Sequence, residues 1–285
     1  MKRYFVVSDI HNFYSFLIEA LNNKGFDQND PDHVLIVCGD AFDRANEAIK
    51  VLEFLTSLHQ QQRLIYIKGN HEFLLKECYQ EILKYGGVTS KHHISNGTMG
   101  TICQLVGPDI ERKITKFLPL DPEENVLLAE KMQPIFELID TCINYYEMGD
   151  YIFVHGWLPK TPADDYLYYG PRKTGGVFNP EWRNAGIFDW EEATWLNGME
   201  EWEYGIREPG KTIICGHWHC SWGNAYLHNK YEEWPPKEDS DFLKAFEPFI
   251  DDGIIAIDAC AAYSGKINVL VFEESDNHIV KMLDI

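Results

Sequence analysis

Val34-Leu35-Ile36-Val37-Cys38-Gly39-Asp40-Ala41-Phe42-Asp43-Arg44 decides how this chain is read. Five apolar residues in a row, without alternation, suit a strand buried on both faces. Gly39 then permits a tight turn, and a carboxylate follows where the strand ends. Asp40 stands where it could bridge two cations. Asp43 and Arg44 come one helical turn later. Taken alone, the segment fits equally well a helix N-cap at Asp43 and an ordinary ion pair at Arg44.

The same grammar recurs on both sides. A β-rich run at residues 4–8 leads into Asp9-Ile10-His11, and Leu64-Ile65-Tyr66-Ile67 leads into Gly69-Asn70-His71-Glu72. Tyr151-Ile152-Phe153-Val154 precedes His155-Gly156, and Ile213-Ile214-Cys215 precedes Gly216-His217-Trp218-His219. Lesser echoes are Asn96-Gly97 and Asp258. Residues 16–21, 47–58 and 73–83 read as helices between the strands. Strand and helix in alternation predict an α/β layer structure. Ligands of such sheets gather beyond the carboxyl ends of strands, where all these polar residues fall.

Residues from about 88 to 140 read as mainly helical, with an amphipathic stretch around 126–139. Residues 143–146 and 151–154 flank a hairpin turn, and residues 212–215, 253–258 and 266–272 read as further strands. The stretch from about 157 to 210 differs, with Pro159, Pro162, Pro171, Gly175 and Gly176 among many aromatics. It is expected to be an insertion or lid over the site. Its Trp182, Trp190, Trp195 and Trp202, with Tyr166, Tyr168 and Tyr169, fit either a mini-core or a platform for a nucleobase or aryl group. A single domain spanning residues 1–285 is expected.

Composition narrows the class. A net charge of −20 argues against a non-specific nucleic-acid binder, because a uniformly acidic surface repels phosphate backbones. No apolar run approaches a membrane span. The run before Asp9 is too short for a signal peptide. Seven cysteines without CxxC pairing suit a reducing, cytoplasmic setting.

The side chains suggest chemistry one by one. Asp9 and His11 lie at i and i+2, on one side of an extended segment, and could grip one ion. Asn70 offers a neutral carbonyl oxygen, though Asn is also a favoured N-cap. His71 could donate a proton if a carboxylate such as Asp43 orients its other nitrogen. His155 alone reads as readily as a core histidine. His217 and His219, two apart after a glycine, suit imidazole ligation of a transition metal.

Together, the set DxH, GDxxDR, GNHE, VHG and GHxH resembles the calcineurin-like metallophosphoesterase superfamily. It is most similar to the branch holding the serine/threonine protein phosphatases and the bacterial symmetric diadenosine tetraphosphatases. The resemblance implies a four-layer αββα sandwich of two mixed β-sheets flanked by helices. It implies two divalent metal ions (Mn, Fe or Zn), one held by Asp9, His11, Asp40 and His219, the other by Asp40, Asn70, His155 and His217. His71 would be the general acid, oriented by Asp43, and Arg44 would clamp phosphate. In-line attack would come from a hydroxide bridging two ions roughly 3.5–4 Å apart.

The departures concern substrate binding. Lys68 stands where the protein phosphatases carry Arg, and it lacks the planar bidentate fork. Trp157 replaces a second glycine after His155-Gly156 and is expected to narrow the opening or stack on a ring. A further phosphate-binding arginine follows in family members; Arg172 and Arg183 are the candidates. The expected activity is hydrolysis of a small phosphorylated substrate, a nucleotide or dinucleoside polyphosphate. The alternatives are a serine/threonine protein phosphatase and a non-catalytic scaffold of the same fold. Oligomeric state is not encoded in any motif.

Overall fold

The computed structural model describes residues 1–162, 176–228, 242–275 and 278–284. Its strands are β1 (Lys2–Val7), β2 (His33–Cys38), β3 (Leu64–Ile67), β4 (Tyr146–Met148), β5 (Tyr151–Phe153), β6 (Lys160–Pro162), β7 (Gly176–Phe178), β8 (Thr212–Cys215), β9 (Phe249–Asp251), β10 (Ile254–Ala256), β11 (Leu270–Glu274) and β12 (Val280–Asp284). They form a five-stranded sheet in the order β12-β11-β1-β2-β3, a second in the order β4-β5-β8-β10-β9, and the small β6-β7 pair. Both large sheets are mixed. β1, β2 and β3 run parallel with β11 antiparallel, and β5, β8 and β10 run parallel with β4 and β9 antiparallel.

The continuous apolar strands have two buried faces because each sheet has a layer on either side. Tyr4, Val6, Val34, Ile36 and Cys38 point into the space between the sheets and meet Phe153, Ile214, Ile255 and Ile257. Their alternates Phe5, Val7, Leu35 and Val37 point the other way. There they pack on Leu17 and Leu21 of helix Tyr14–Asn23, Val51 and Leu55 of Ala48–Gln60, and Leu75 of Asn70–Tyr85. The expected helical stretch resolves into helices Lys91–Ser95, Thr98–Val106, Pro108–Thr115 and Pro122–Ile139. The last opens on a capping box, Asp121 with Glu124, and Pro122 in its first turn. This is the four-layer αββα sandwich.

Much of the aromatic stretch, where it is described, forms the fourth layer. Trp157, Trp182, Trp190, Trp202, Met199 and Ile206 pack against Ile152, Val154, Ile213 and Ala256 on the outer face of the second sheet. Tyr166, Tyr168 and Tyr169 lie outside the described residues. Some strand bounds also shift. Ile143 forms an isolated parallel bridge with Ile67, tying the edge of the first sheet to the approach of the second. The strand expected at residues 266–272 begins at Leu270, because Ile267 and Val269 are buried in the helical core on the way to it. Among the described residues, no helix is long and apolar enough to cross a membrane.

Candidate metal centre

The parallel strands β1, β2, β3, β5, β8 and β10 all end at one edge. Asp9, Asp40, Asn70, His155, His217 and Asp258 follow those ends within three residues. Asp9, His11, Asn12, Asp40, Asp43, Arg44 and His217 all have positive φ, seven of the eleven such non-glycine residues described. Left-handed backbone is costly for ordinary side chains, and its clustering marks a site that the surrounding packing holds in place.

Asp40 is central. Its Oδ2 lies 3.3 Å from His155 Nε2 and 3.8 Å from both His11 Nε2 and His71 Nε2. Its Oδ1 accepts the His71 backbone N–H at 2.9 Å. Two groups of ligand-type atoms share it: His11, Asp40 and His71, and Asp40, His155 and His217. Asn70 Oδ1 is 3.0 Å from His155 Nε2. Asp9 Oδ1 is 3.8 Å from His11 Nε2, and Asp9 Oδ2 accepts the His217 N–H at 2.9 Å. The structure therefore gathers Asp9, His11, Asp40, Asn70, His71, His155 and His217. His219 shares the loop of His217, and the Arg44 charge reaches it.

Other ring nitrogens are spoken for. His11 Nδ1 meets the Phe42 carbonyl at 2.9 Å, and His155 Nδ1 meets the Cys38 carbonyl at 2.8 Å. His219 Nδ1 meets Ser221 Oγ. An Nδ1–H held by an oxygen leaves Nε2 as the lone-pair donor, the tautomer a metal requires. Burial favours the neutral form at three of these imidazoles. It pushes His11 well below its ordinary value, His217 to about 3, and His219 down as well. His155 moves the other way, to about 10, because Asp40 and Asp9 outweigh its burial. Buried carboxylates with only imidazoles around them call for a positive charge, as a proton or a cation. Four imidazoles, two carboxylates and an amide oxygen fit a borderline transition-metal pair.

His71 differs from the others. Its Nδ1 donates to Asp43 Oδ2 at 2.7 Å, and that oxygen also accepts from Thr98 Oγ1 at 2.8 Å. Burial lowers the affinity of His71 for a proton, but the Asp40 and Asp43 carboxylates outweigh it and the balance is upward. Arg44 is exposed and, among the described residues, has no ion-pair partner. Its charge is felt at His11, His71 and His219.

Four residues that support the site had no role assigned from sequence. Glu72 accepts from the Gly69 N–H at 2.7 Å, the Asp40 and Ala41 N–H groups at 3.1 Å each, and Tyr66 Oη at 2.5 Å. It welds the loops after β2 and β3 together. Gly69 is obligatory beneath it, since a Cβ there would fall 2.1 Å from Asp40 Oδ1. Thr98 holds Asp43 from the side, and Thr101 Oγ1 accepts from the Asp43 N–H at 3.1 Å and from Asn12 Nδ2 at 2.9 Å. The Asn96-Gly97 echo is therefore more than a turn. Gly97 packs on the Arg44 backbone, and a Cβ there would lie 2.4 Å from Arg44 N. The final Glu of GNHE and the Thr after Asn96-Gly97 were the available signals. Glu72→Gln places an amide N–H₂ among these donors. It is expected to lower stability by about 1–3 kcal/mol, the usual range for a buried hydrogen-bond partner left unmatched. The urea midpoint should fall at constant slope.

Two expected substrate contacts, Trp157 and Arg183, are engaged elsewhere in the fold. Trp157 is 1% exposed, with Nε1 donating to the Ile206 carbonyl at 2.9 Å, so it neither lines an opening nor stacks on a ligand. Arg183 is engaged with Glu147 at 2.6 Å and Glu208 at 3.3 Å and lies over Trp182. Lys68 sits 5.2 Å from the centre of the Phe73 ring, which gives its ammonium a local partner. Arg172 lies outside the described residues. Asp258 is buried near Asp9, and burial followed by the Asp9 charge holds its carboxyl well above the usual range.

The family model for calcineurin-like phosphoesterases matches residues 2–230. An asymmetrical bis(5'-nucleosyl)-tetraphosphatase, PrpE, of Bacillus velezensis is 28% identical over 74 residues, which is 24% of this chain and 30% of that relative. A solved cold-active protein tyrosine phosphatase is similar over 99% of this chain and 79% of its own, with TM-score 0.51 and 15% identity. That of a psychrophilic Shewanella species is similar over 100% and 81%, with TM-score 0.50 and 14% identity. At such identities these two structures speak to the fold alone.

Proposed function

The chain belongs to the calcineurin-like phosphoesterase family and is a hydrolase acting on phosphate esters; within that chemistry, we propose that its substrate is a nucleotide or dinucleoside polyphosphate. The observation that carries the site assignment is Asp40 Oδ2, shared by two groups of inward-facing ligand atoms. We take Asp9, His11, Asp40 and His219 as ligands of one divalent ion, and Asp40, Asn70, His155 and His217 as ligands of the other. Mn, Fe and Zn all suit these donors. Such ions would activate water and neutralise charge on the phosphoryl group. Arg44 binds phosphoryl oxygens. His71, with Nδ1–H fixed on Asp43, gives the proton of Nε2 to the leaving oxygen. Support for a nucleotide-like substrate comes from the partial similarity to the nucleosyl-tetraphosphatase, of which the match spans less than a third.

The test is a hydrolysis screen with added Mn²⁺, Zn²⁺ or Fe²⁺ over diadenosine tetraphosphate, nucleotides and a phosphopeptide. Metal-dependent turnover fastest on the nucleotides is expected. Faster turnover of the phosphopeptide would favour a protein phosphatase, and no metal uptake or turnover would favour the scaffold.

Metal binding should also raise the melting temperature, by mass action on the folded state. Burial raises the Asp9 carboxyl to about 6, with His155 pulling down and Asp40 pushing up. Because the folded value lies above the ordinary one, the contribution of Asp9 to metal-free stability is complete at low pH and is lost as pH rises through about 6. Cation binding needs the carboxylate and gains over the same window. The stabilisation on adding Mn²⁺ should therefore grow between pH 5 and 7.5. An increment that shrank with rising pH would contradict Asp9 as a ligand.

A further inference from the structure

Trp195 departs from the other tryptophans of the fourth layer. Trp182, Trp190 and Trp202 are buried, and the indole N–H groups of Trp182 and Trp202 are bonded to Glu208 and the Asp252 carbonyl. Trp195 is 42% exposed, and among the described residues its N–H has no hydrogen-bond partner. An indole that filled a core would be covered.

Its position is held from below. Gly156, directly after His155, lets the chain at 193–194 close on the backbone, since a Cβ there would stand 2.3 Å from the Ala193 carbonyl oxygen. The Trp157 N–H donates to that same carbonyl at 3.0 Å. The next residue is Trp195, whose ring meets the His217 ring edge-on at 5.8 Å. On its other side the indole lies 5.9 Å from His92, an exposed residue of the helix just before Asn96-Gly97-Thr98, the turn that supports Asp43 and Arg44. Trp195 is thus a solvent-facing aromatic ring one ring spacing beyond a candidate ligand, on a fixed mount.

We propose that Trp195, flanked by His92, is the ledge that receives the planar ring of the substrate, a nucleobase or aryl group, while its phosphate occupies the metal centre. This rests on the hydrolase reading above and assigns its selectivity to one residue. Stacking on an indole is tolerant of ring identity, since every base has a π-face. The ledge therefore selects aromatic over aliphatic phosphates without selecting one base.

The test compares adenosine monophosphate with ribose 5-phosphate, which lacks the ring, in the metal-supplemented full chain. Trp195→Ala should raise KM for the nucleotide about tenfold, the size expected for one lost base stack. Its effect on kcat/KM for ribose 5-phosphate should be much smaller, and Trp195→Phe should keep most of the preference. Equal losses on both compounds, or none on either, overturn the proposal, because a purely structural role cannot tell them apart. If the parent protein hydrolyses neither compound, the hydrolase reading stands or falls on the wider screen above. Calorimetric titration with adenosine monophosphate then decides the ledge: weaker binding by Trp195→Ala than by the parent supports it, and equal or absent binding overturns it.

Discussion

Asp40→Asn is expected to cut metal-dependent hydrolysis of an aryl phosphate by about three orders of magnitude, equivalent to several kcal/mol of lost charge stabilisation. The substitution is nearly isosteric. Its amide oxygen can still accept the His71 backbone N–H that Asp40 Oδ1 accepts at 2.9 Å. What changes is the other atom. Asp40 Oδ2 faces His155, His11 and His71 nitrogens at 3.3, 3.8 and 3.8 Å, and an N–H₂ there can coordinate nothing. Burial works against a charge on Asp40, but His155, His71 and His11 more than offset it and keep the carboxyl well below its usual range. The asparagine variant should therefore fold, bind less metal by elemental analysis, and lose turnover. Undiminished metal-dependent hydrolysis by a folded variant would remove Asp40 from the mechanism.

Much of this site was legible because both sheets are covered on both faces. Val34–Cys38 and its parallel neighbours could be read as strands from apolar continuity, and each ligand candidate stood just past a strand end. That signal does not depend on knowing what lies in each layer. The reading failed where layer membership mattered. Trp157 is two residues from His155, yet it turns into the outer core with Trp182 and Trp190, because adjacency in sequence does not fix the direction of a side chain. Arg183 looked free as a letter and is held by two glutamates whose positions only the fold sets. Glu72 was quoted within its motif without a role, since its four donors come from the loops after two different strands and from Tyr66. Thr98 was similar. A hydroxyl 55 positions from Asp43 in sequence reaches it only after the helical layer has packed.

His71→Gln is the second large effect, and its signature lies in how the loss depends on the leaving group. Removing a general acid costs about 10²–10⁴ in rate when the departing oxygen needs a proton. An alkoxide needs one and a nitrophenolate hardly does. Hydrolysis of an alkyl phosphate should therefore fall by that amount, and hydrolysis of p-nitrophenyl phosphate far less. The geometry gives His71 the attributes of an acid. Nδ1–H is fixed on Asp43 at 2.7 Å, while Nε2 stands 3.8 Å from Asp40 Oδ2, beyond hydrogen-bond reach and so available to a leaving oxygen. Asp43→Asn breaks the same unit one step back. It removes the charge that favours imidazolium and offers Nδ1–H a poorer acceptor, for an expected loss of about 10–100-fold. Because Asp43 acts through His71, the double variant should be hardly worse than His71→Gln alone. A loss equal for alkyl and nitrophenyl substrates would instead make His71 a ligand, the role its place beside His11 and Asp40 also permits.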